Sequence, residues 1–179
     1  MPERLFDRHL RRDVVDALAD SRAVAVLGAR QVGKSTLVAQ IASDEHPARL
    51  ISLDDDAAAE TARADPTGFI ADIDGPVAID EIQRAPELLL AIKRRLDADR
   101  TRGQFLLTGS ANILSLPTVA DALPGRVEYL TLWPLSQGEM HDVHEQFIDG
   151  LFAGRFPKPT GVSAGRIVLA PMLVAGGYP

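Results

Sequence analysis

The chain contains no cysteine, so neither a disulfide framework nor a thiolate metal site is open to it. That absence fits a reducing cytoplasm, the expected location. The opening Met1-Pro2-Glu3-Arg4 lacks the apolar run behind a basic region that a secretory signal needs. An uncharged apolar stretch of the roughly 18–20 residues required to span a bilayer is also missing. The longest candidate, Ile167 to Ala175, is too short and carries Pro171. No membrane partner is expected. A basic excess is lacking too, with 19 Lys+Arg against 25 Asp+Glu, a net charge of −6 and a pI near 5.2. Nucleic-acid affinity comes largely from neutralising phosphates, so the charge does not support DNA or RNA as the main ligand.

What is present is ordinary globular material. Hydrophobic residues make up 46% and charged residues 25%, which excludes wholesale disorder. A length of 179 residues suffices for one α/β domain with a small appendage.

Along the chain, residues Leu5 to Ala19 read as an amphipathic helix, with Leu5, Val14, Val15 and Leu18 among abundant Arg and Asp. Ala23-Val24-Ala25-Val26-Leu27 is an unbroken apolar run, the pattern of a strand buried on both faces of a parallel sheet. A glycine loop and a helix from Lys34 to Ala42 follow. Further strands are expected at Arg49–Leu53, Val77–Ile79, Gln104–Thr108 and Val127–Leu130. Helices are expected over Ala57–Ala64, ended by Asp65-Pro66-Thr67-Gly68, and over Pro86–Ala98. Strands alternating with helices at this spacing imply βαβ units and a mostly parallel sheet. After Trp133-Pro134-Leu135 the character changes to a short helix around Ser136–Phe147 and a Gly/Pro-rich tail. The expected division is a P-loop core over residues 1–135 and the start of a lid or C-terminal module over 136–179, with the end read as a truncation.

Gly28-Ala29-Arg30-Gln31-Val32-Gly33-Lys34-Ser35-Thr36 satisfies G-x-x-x-x-G-K-[ST]. A triphosphate is dense negative charge, and its preorganised counterpart is a ring of backbone N–H groups opening onto a helix N-terminus. Gly28 and Gly33 allow backbone angles and a close approach that a Cβ would block. Lys34 is expected to reach the β- and γ-phosphates, and the Ser35 hydroxyl to hold Mg²⁺. The competing reading is a chance Gly-rich turn. It is disfavoured because the motif directly follows a buried-type strand and opens a helix.

Val77-Ala78-Ile79-Asp80-Glu81 sets two carboxylates at the C-terminal end of an apolar strand, the edge where open parallel sheets bind ligands. Asp80 is the candidate to support the magnesium shell, and Glu81 the candidate to polarise an attacking water. A merely solvated strand exit is the alternative. Thr108-Gly109-Ser110-Ala111-Asn112 ends the next strand with polar groups. Thr108 or Ser110 is a candidate to sense the γ-phosphate, against the plainer reading that Ser110 caps a helix. Arg126, just before the last strand, is a candidate arginine finger toward a neighbouring subunit, or an ordinary surface arginine. Lys93-Arg94-Arg95 reads as a solvated helix face, and His9, His46, His141 and His144 form no metal constellation.

Together these segments resemble the AAA+ ATPase superfamily, and more narrowly the ATPases whose AAA module precedes a C-terminal domain of unknown function (DUF4143). The resemblance rests on Val26–Leu37, Ile79–Leu88, Phe105–Asn112, Gly125–Glu128, Leu132–Ser136 and the terminal Gly176-Gly177-Tyr178-Pro179. It implies a parallel five-stranded sheet in the order 5-1-4-3-2, flanked by helices. It places Thr108–Ser110 in the sensor 1 region and makes Arg126 a finger candidate. A lid arginine is not evident; Arg155 and Arg166 are the candidates. The expected ligands are ATP and Mg²⁺, with self-association through the nucleotide site and an unidentified protein partner. The expected function is a Mg-dependent ATPase that couples ATP binding and hydrolysis to conformational change in a C-terminal module. A non-hydrolysing nucleotide-gated switch that recruits a protein or DNA partner is the alternative, and a phosphotransferase the weakest reading.

Overall fold

The unbroken apolar runs of the central strands decide the architecture, because their successive side chains face opposite sides of the sheet and both sides must be covered. The computed structural model describes residues 5–110, 125–155, 174 and 176–179. The sequence features at Ala111-Asn112, Leu123-Pro124 and Arg166, and most of the apolar stretch 167–175, lie outside those residues. The chain divides into two compact units, Leu10–Trp133 and a smaller one formed by Met1–His9 with Pro134–Pro179.

The larger unit runs α1 (Leu10–Asp20), β1 (Ala23–Gly28), α2 (Lys34–Ser43), β2 (Arg49–Ser52), α3 (Asp56–Ala64), α4 (Pro66–Ala71), β3 (Val77–Asp80), α5 (Leu88–Ala98), β4 (Phe105–Ser110) and β5 (Val127–Leu132). The strands form one five-stranded sheet in the order β2-β3-β4-β1-β5, and every pairing is parallel. This is the expected order. Every residue of β1 is buried because both faces of the sheet are covered. On one face Ala23, Ala25, Leu27, Val77, Ile79, Phe105 and Leu107 pack with α3, α4 and α5 through Ala59, Ile70, Leu88, Ile92 and Leu96. On the other, Val24, Val26, Ala78 and Leu106 pack with α1 and α2 through Val14, Leu18, Leu37, Val38 and Ile41. The period of two along each strand thus feeds two separate cores.

The first helix begins at Leu10 rather than Leu5, the helix expected around Ser136–Phe147 is instead Gln137–His141 and a separate Phe147–Phe152, and two further local readings differ from the sequence expectation. Asp65-Pro66-Thr67-Gly68 ends α3 but also starts α4: the Asp65 side chain accepts the Gly68 N–H, and Pro66 occupies the first turn, where its missing donor costs nothing. Arg95 is not part of a solvated face. Its guanidinium donates to the carbonyls of Ile70 (3.1 Å) and Ile73 (2.7 Å) and lies over the Phe105 ring, 5.4 Å from the centroid. It serves the carbonyls at the C-terminal end of α4, where a cation is favoured.

The smaller unit is organised by one carboxylate. Its helices are α6 (Gln137–His141) and α7 (Phe147–Phe152). Ser136 and Glu139 form a reciprocal capping box at the start of α6. The same Glu139 is buried against Arg8 (3.1 Å) and the His9 N–H (2.8 Å). Burial alone would push the Glu139 carboxyl up. The Ser136 and His9 amides and the Arg8 guanidinium outweigh it and hold the carboxyl below the ordinary glutamate range. No helix among the described residues is long and apolar enough to cross a membrane.

Candidate nucleotide-binding site

A parallel sheet presents all its strand C-termini at one edge, and Asp80, Glu81, Thr108 and Ser110 of the larger unit lie there. The loop from Gly28 to Gly33 leaves β1 at this edge and turns directly into α2. Two residues set its path. A Cβ on Gly28 would stand 2.4 Å from the Leu132 carbonyl oxygen at the end of β5, so only glycine allows the strands this close. Gly33 has φ +96°, a left-handed conformation that glycine adopts without strain. Gln31 is left-handed as well, with φ +63°, and carries the strain that a Cβ brings there.

Gly33 caps α2 without a side-chain hydrogen bond, so the first-turn amides of that helix have no side-chain acceptor at the cap. This is the arrangement that favours an anion. Lys34 is buried, and its Nζ donates to the Ala29 carbonyl at 2.8 Å, which folds the ammonium back across the loop. Ala29, Arg30 and Gln31 are exposed at the rim, Val32 is buried beneath them, and Ser35 and Thr36 are exposed on the first turn of α2.

The sheet order decides what faces this loop. Because β4 lies between β1 and β3, the ends of all three strands meet. Ser35 Oγ donates to Asp80 Oδ1 at 3.0 Å. The buried Thr108 donates from Oγ1 to the same Asp80 oxygen at 2.5 Å and accepts the Glu81 N–H at 2.9 Å. One chain of hydrogen bonds therefore runs from α2 through Asp80 and Thr108 to the backbone of Glu81. Glu81 is left-handed at φ +58°, an uncommon state for a residue with a side chain and one typical of functional turns. Ser35 and Asp80 offer hard oxygens side by side, the donor set magnesium prefers, so the residues fit that ion.

Thr108 and Ser110 separate in this geometry. Thr108 is buried in the hydrogen-bond chain, whereas Ser110 is half-buried and its N–H donates to Gln83 Oε1 at 3.2 Å. Arg126 is not brought to this edge. It precedes β5 and so stands at the opposite, N-terminal edge of the sheet, where its Nε donates to Asp97 Oδ1 at 2.6 Å. That pair raises the Arg126 pKa and holds the Asp97 carboxyl below the usual range. Asp20, Arg22, Arg100 and Arg102 line the same shallow cavity of about 510 Å³.

Residues 20–141 match the AAA domain family. The chain belongs to it. Membership places it among the P-loop ATPases and implies nucleotide binding. The uncharacterized proteins Rv2008c of Mycobacterium tuberculosis and Mb2031c of Mycobacterium bovis are each 30% identical over 136 residues, which is 76% of this chain and 30% of theirs. The chain thus spans under a third of the length of the curated relatives it matches. Among solved structures, a Walker-type ATPase of Pyrococcus abyssi is similar in fold at a TM-score of 0.53 and 18% identity, over 88% of this chain and 61% of that one. The RuvB Holliday junction branch migration motor of Thermotoga maritima is similar at a TM-score of 0.50 and 18% identity, over 83% of this chain and 52% of that one.

Residues that spacing did not single out are Gln83 and Arg84. Gln83 Nε2 donates to Glu81 Oε2, and Arg84 pairs with Asp54, just after β2, and Asp56, the first residue of α3.

Proposed function

We propose that this AAA domain binds Mg-ATP and hydrolyses it, with Glu81 as the general base. The observation that carries the reading is the unbroken hydrogen-bond chain Ser35–Asp80–Thr108–Glu81, which ties the phosphate loop to the acidic strand end. In this reading the loop amides from Ala29 to Thr36 and the Lys34 ammonium hold the triphosphate. Ser35 and Asp80 hold magnesium, which when bound neutralises charge on the phosphate oxygens. Glu81 accepts a proton from the attacking water, and Thr108 fixes the backbone that carries it. Arg126 reaches the γ-phosphate of a neighbouring copy, since its place at the far sheet edge suits action across an interface and not on its own loop. Ser110 is the second sensor candidate on β4.

We also read residues 136–179 as the beginning of a second module, of the DUF4143-associated kind, to which nucleotide-dependent change is transmitted. The separate clustering of Pro134–Pro179 with the N-terminal residues supports this, as do the exposed Phe147, Ile148, Leu151 and Phe152 of α7. Those side chains equally suit a recruited protein partner, which is the feature that favours the switch reading.

Binding and turnover separate the two readings. Lys34→Ala is expected to lose triphosphate affinity in an equilibrium titration. Glu81→Gln is expected to bind as wild type and to release phosphate about 10²-fold more slowly or worse. Tight binding with no turnover in the wild type would leave the switch standing and remove the hydrolase.

A further inference from the structure

We propose that Gln83 is a positioning residue that fixes the Glu81 carboxylate and joins it to the end of β4. The proposal rests on Glu81 being the base. The backbone of Glu81 is already held, since its N–H donates to Thr108 and its carbonyl accepts the Arg84 N–H at 2.9 Å. Its side chain keeps several rotatable bonds, and backbone anchoring does nothing to orient it. Gln83 supplies that restraint. Its Nε2 donates to Glu81 Oε2, while its Oε1 accepts the Ser110 N–H at 3.2 Å.

A neutral amide is the side chain that performs both tasks at once, because it offers a donor at one end and an acceptor at the other. A carboxylate at position 83 would keep the bond to Ser110 and set like charge against Glu81. A thioether would make neither bond. With Oε2 holding the amide, Oε1 is the less engaged oxygen and the one presented to take the proton. The turn that carries both residues is tied on its other flank by Arg84 to Asp54 and Asp56. The amide therefore works from a fixed base, and the position of Ser110 on β4 is passed to the carboxylate through a single side chain.

Steady-state phosphate release, nucleotide titration and thermal melting of Gln83→Met, Gln83→Glu, Glu81→Gln and the Gln83→Met/Glu81→Gln double variant test this. Gln83→Met and Gln83→Glu are both expected to lose about tenfold or more in kcat, at unchanged ATP affinity, since misplaced catalytic groups cost that much. Gln83→Glu keeps the link to Ser110, so its loss traces to the end facing Glu81, where like charge replaces the donated hydrogen bond, and Gln83→Met shows the loss without added charge. The double variant is expected to be no slower than Glu81→Gln alone, because Gln83 acts only through that carboxylate. Wild-type kcat in Gln83→Met, a raised kcat, or a further tenfold loss in the double variant would each overturn the proposal while leaving Glu81 as base. Undiminished turnover in Glu81→Gln would overturn the base and Gln83 with it.

Discussion

Ser35 Oγ lies 3.0 Å from Asp80 Oδ1 although 45 residues separate them in the chain. The contact exists because β3 and β1 flank β4 in a parallel sheet, which brings the start of α2 and the end of β3 to one edge. The metal reading depends on this pair. Asp80→Asn keeps the size and an acceptor oxygen but removes the charge. It is expected to raise the magnesium concentration needed for half-maximal ATP binding, with little change in thermal stability. A magnesium titration at fixed ATP measures it.

Thr108 serves two partners from inside the core. Thr108→Val leaves the Glu81 N–H without its acceptor and Asp80 Oδ1 with the Ser35 hydroxyl alone of its two donors. Buried groups stripped of partners cost about 1–3 kcal/mol, so a denaturant melt is expected to show a loss of that order. Hydrolysis is expected to fall further than in Ser110→Ala, whose changed hydroxyl lies outside the chain of bonds from Ser35 to Glu81. Equal turnover in the two variants would remove the distinction between them.

Arg126 makes a prediction about copies of the chain. Arg126→Ala and Glu81→Gln are each expected to be nearly inactive alone. Mixed together they are expected to regain phosphate release, because an intact Glu81 site then meets an intact arginine from the neighbour. Its present partner is Asp97 in a solvent-exposed pair, a contact readily exchanged for a phosphate. No recovery on mixing would return Arg126 to the surface.

The smaller unit should respond to acid through Glu139. Its carboxyl is held below the ordinary glutamate range by the Ser136 and His9 amides and Arg8, against the upward push of burial. A depressed folded-state value means the linked stability is present above the unfolded value. It is lost as pH falls through the folded one. Hydrogen-exchange protection at the His9 and Ser136 amides is expected to fall in that acidic window. In Glu139→Gln that step is expected to vanish.

Much of this was legible in the sequence, for physical reasons. The run Ala23–Leu27 reads as a doubly covered strand because each residue serves one of two cores, and the motif from Gly28 to Thr36 carries its own geometry. The sheet order came from the resemblance, not from periodicity. What was not legible is side-chain bonding across the sheet edge. Nothing in spacing reveals that Thr108 reaches Asp80, that Gln83 bridges Glu81 and Ser110, or that Arg95 turns inward to α4. The Pro66 break concealed α4 because the same Asp65 that stops one helix caps the next.

The central claim is that this site hydrolyses ATP with Glu81 as base. It is tested most directly by phosphate release from Mg-ATP over a range of protein concentrations, with Glu81→Gln alongside. The account predicts turnover per subunit that rises with concentration and falls about 10²-fold or more in the variant, while ATP binding is retained. Turnover in Glu81→Gln equal to the wild type would contradict it.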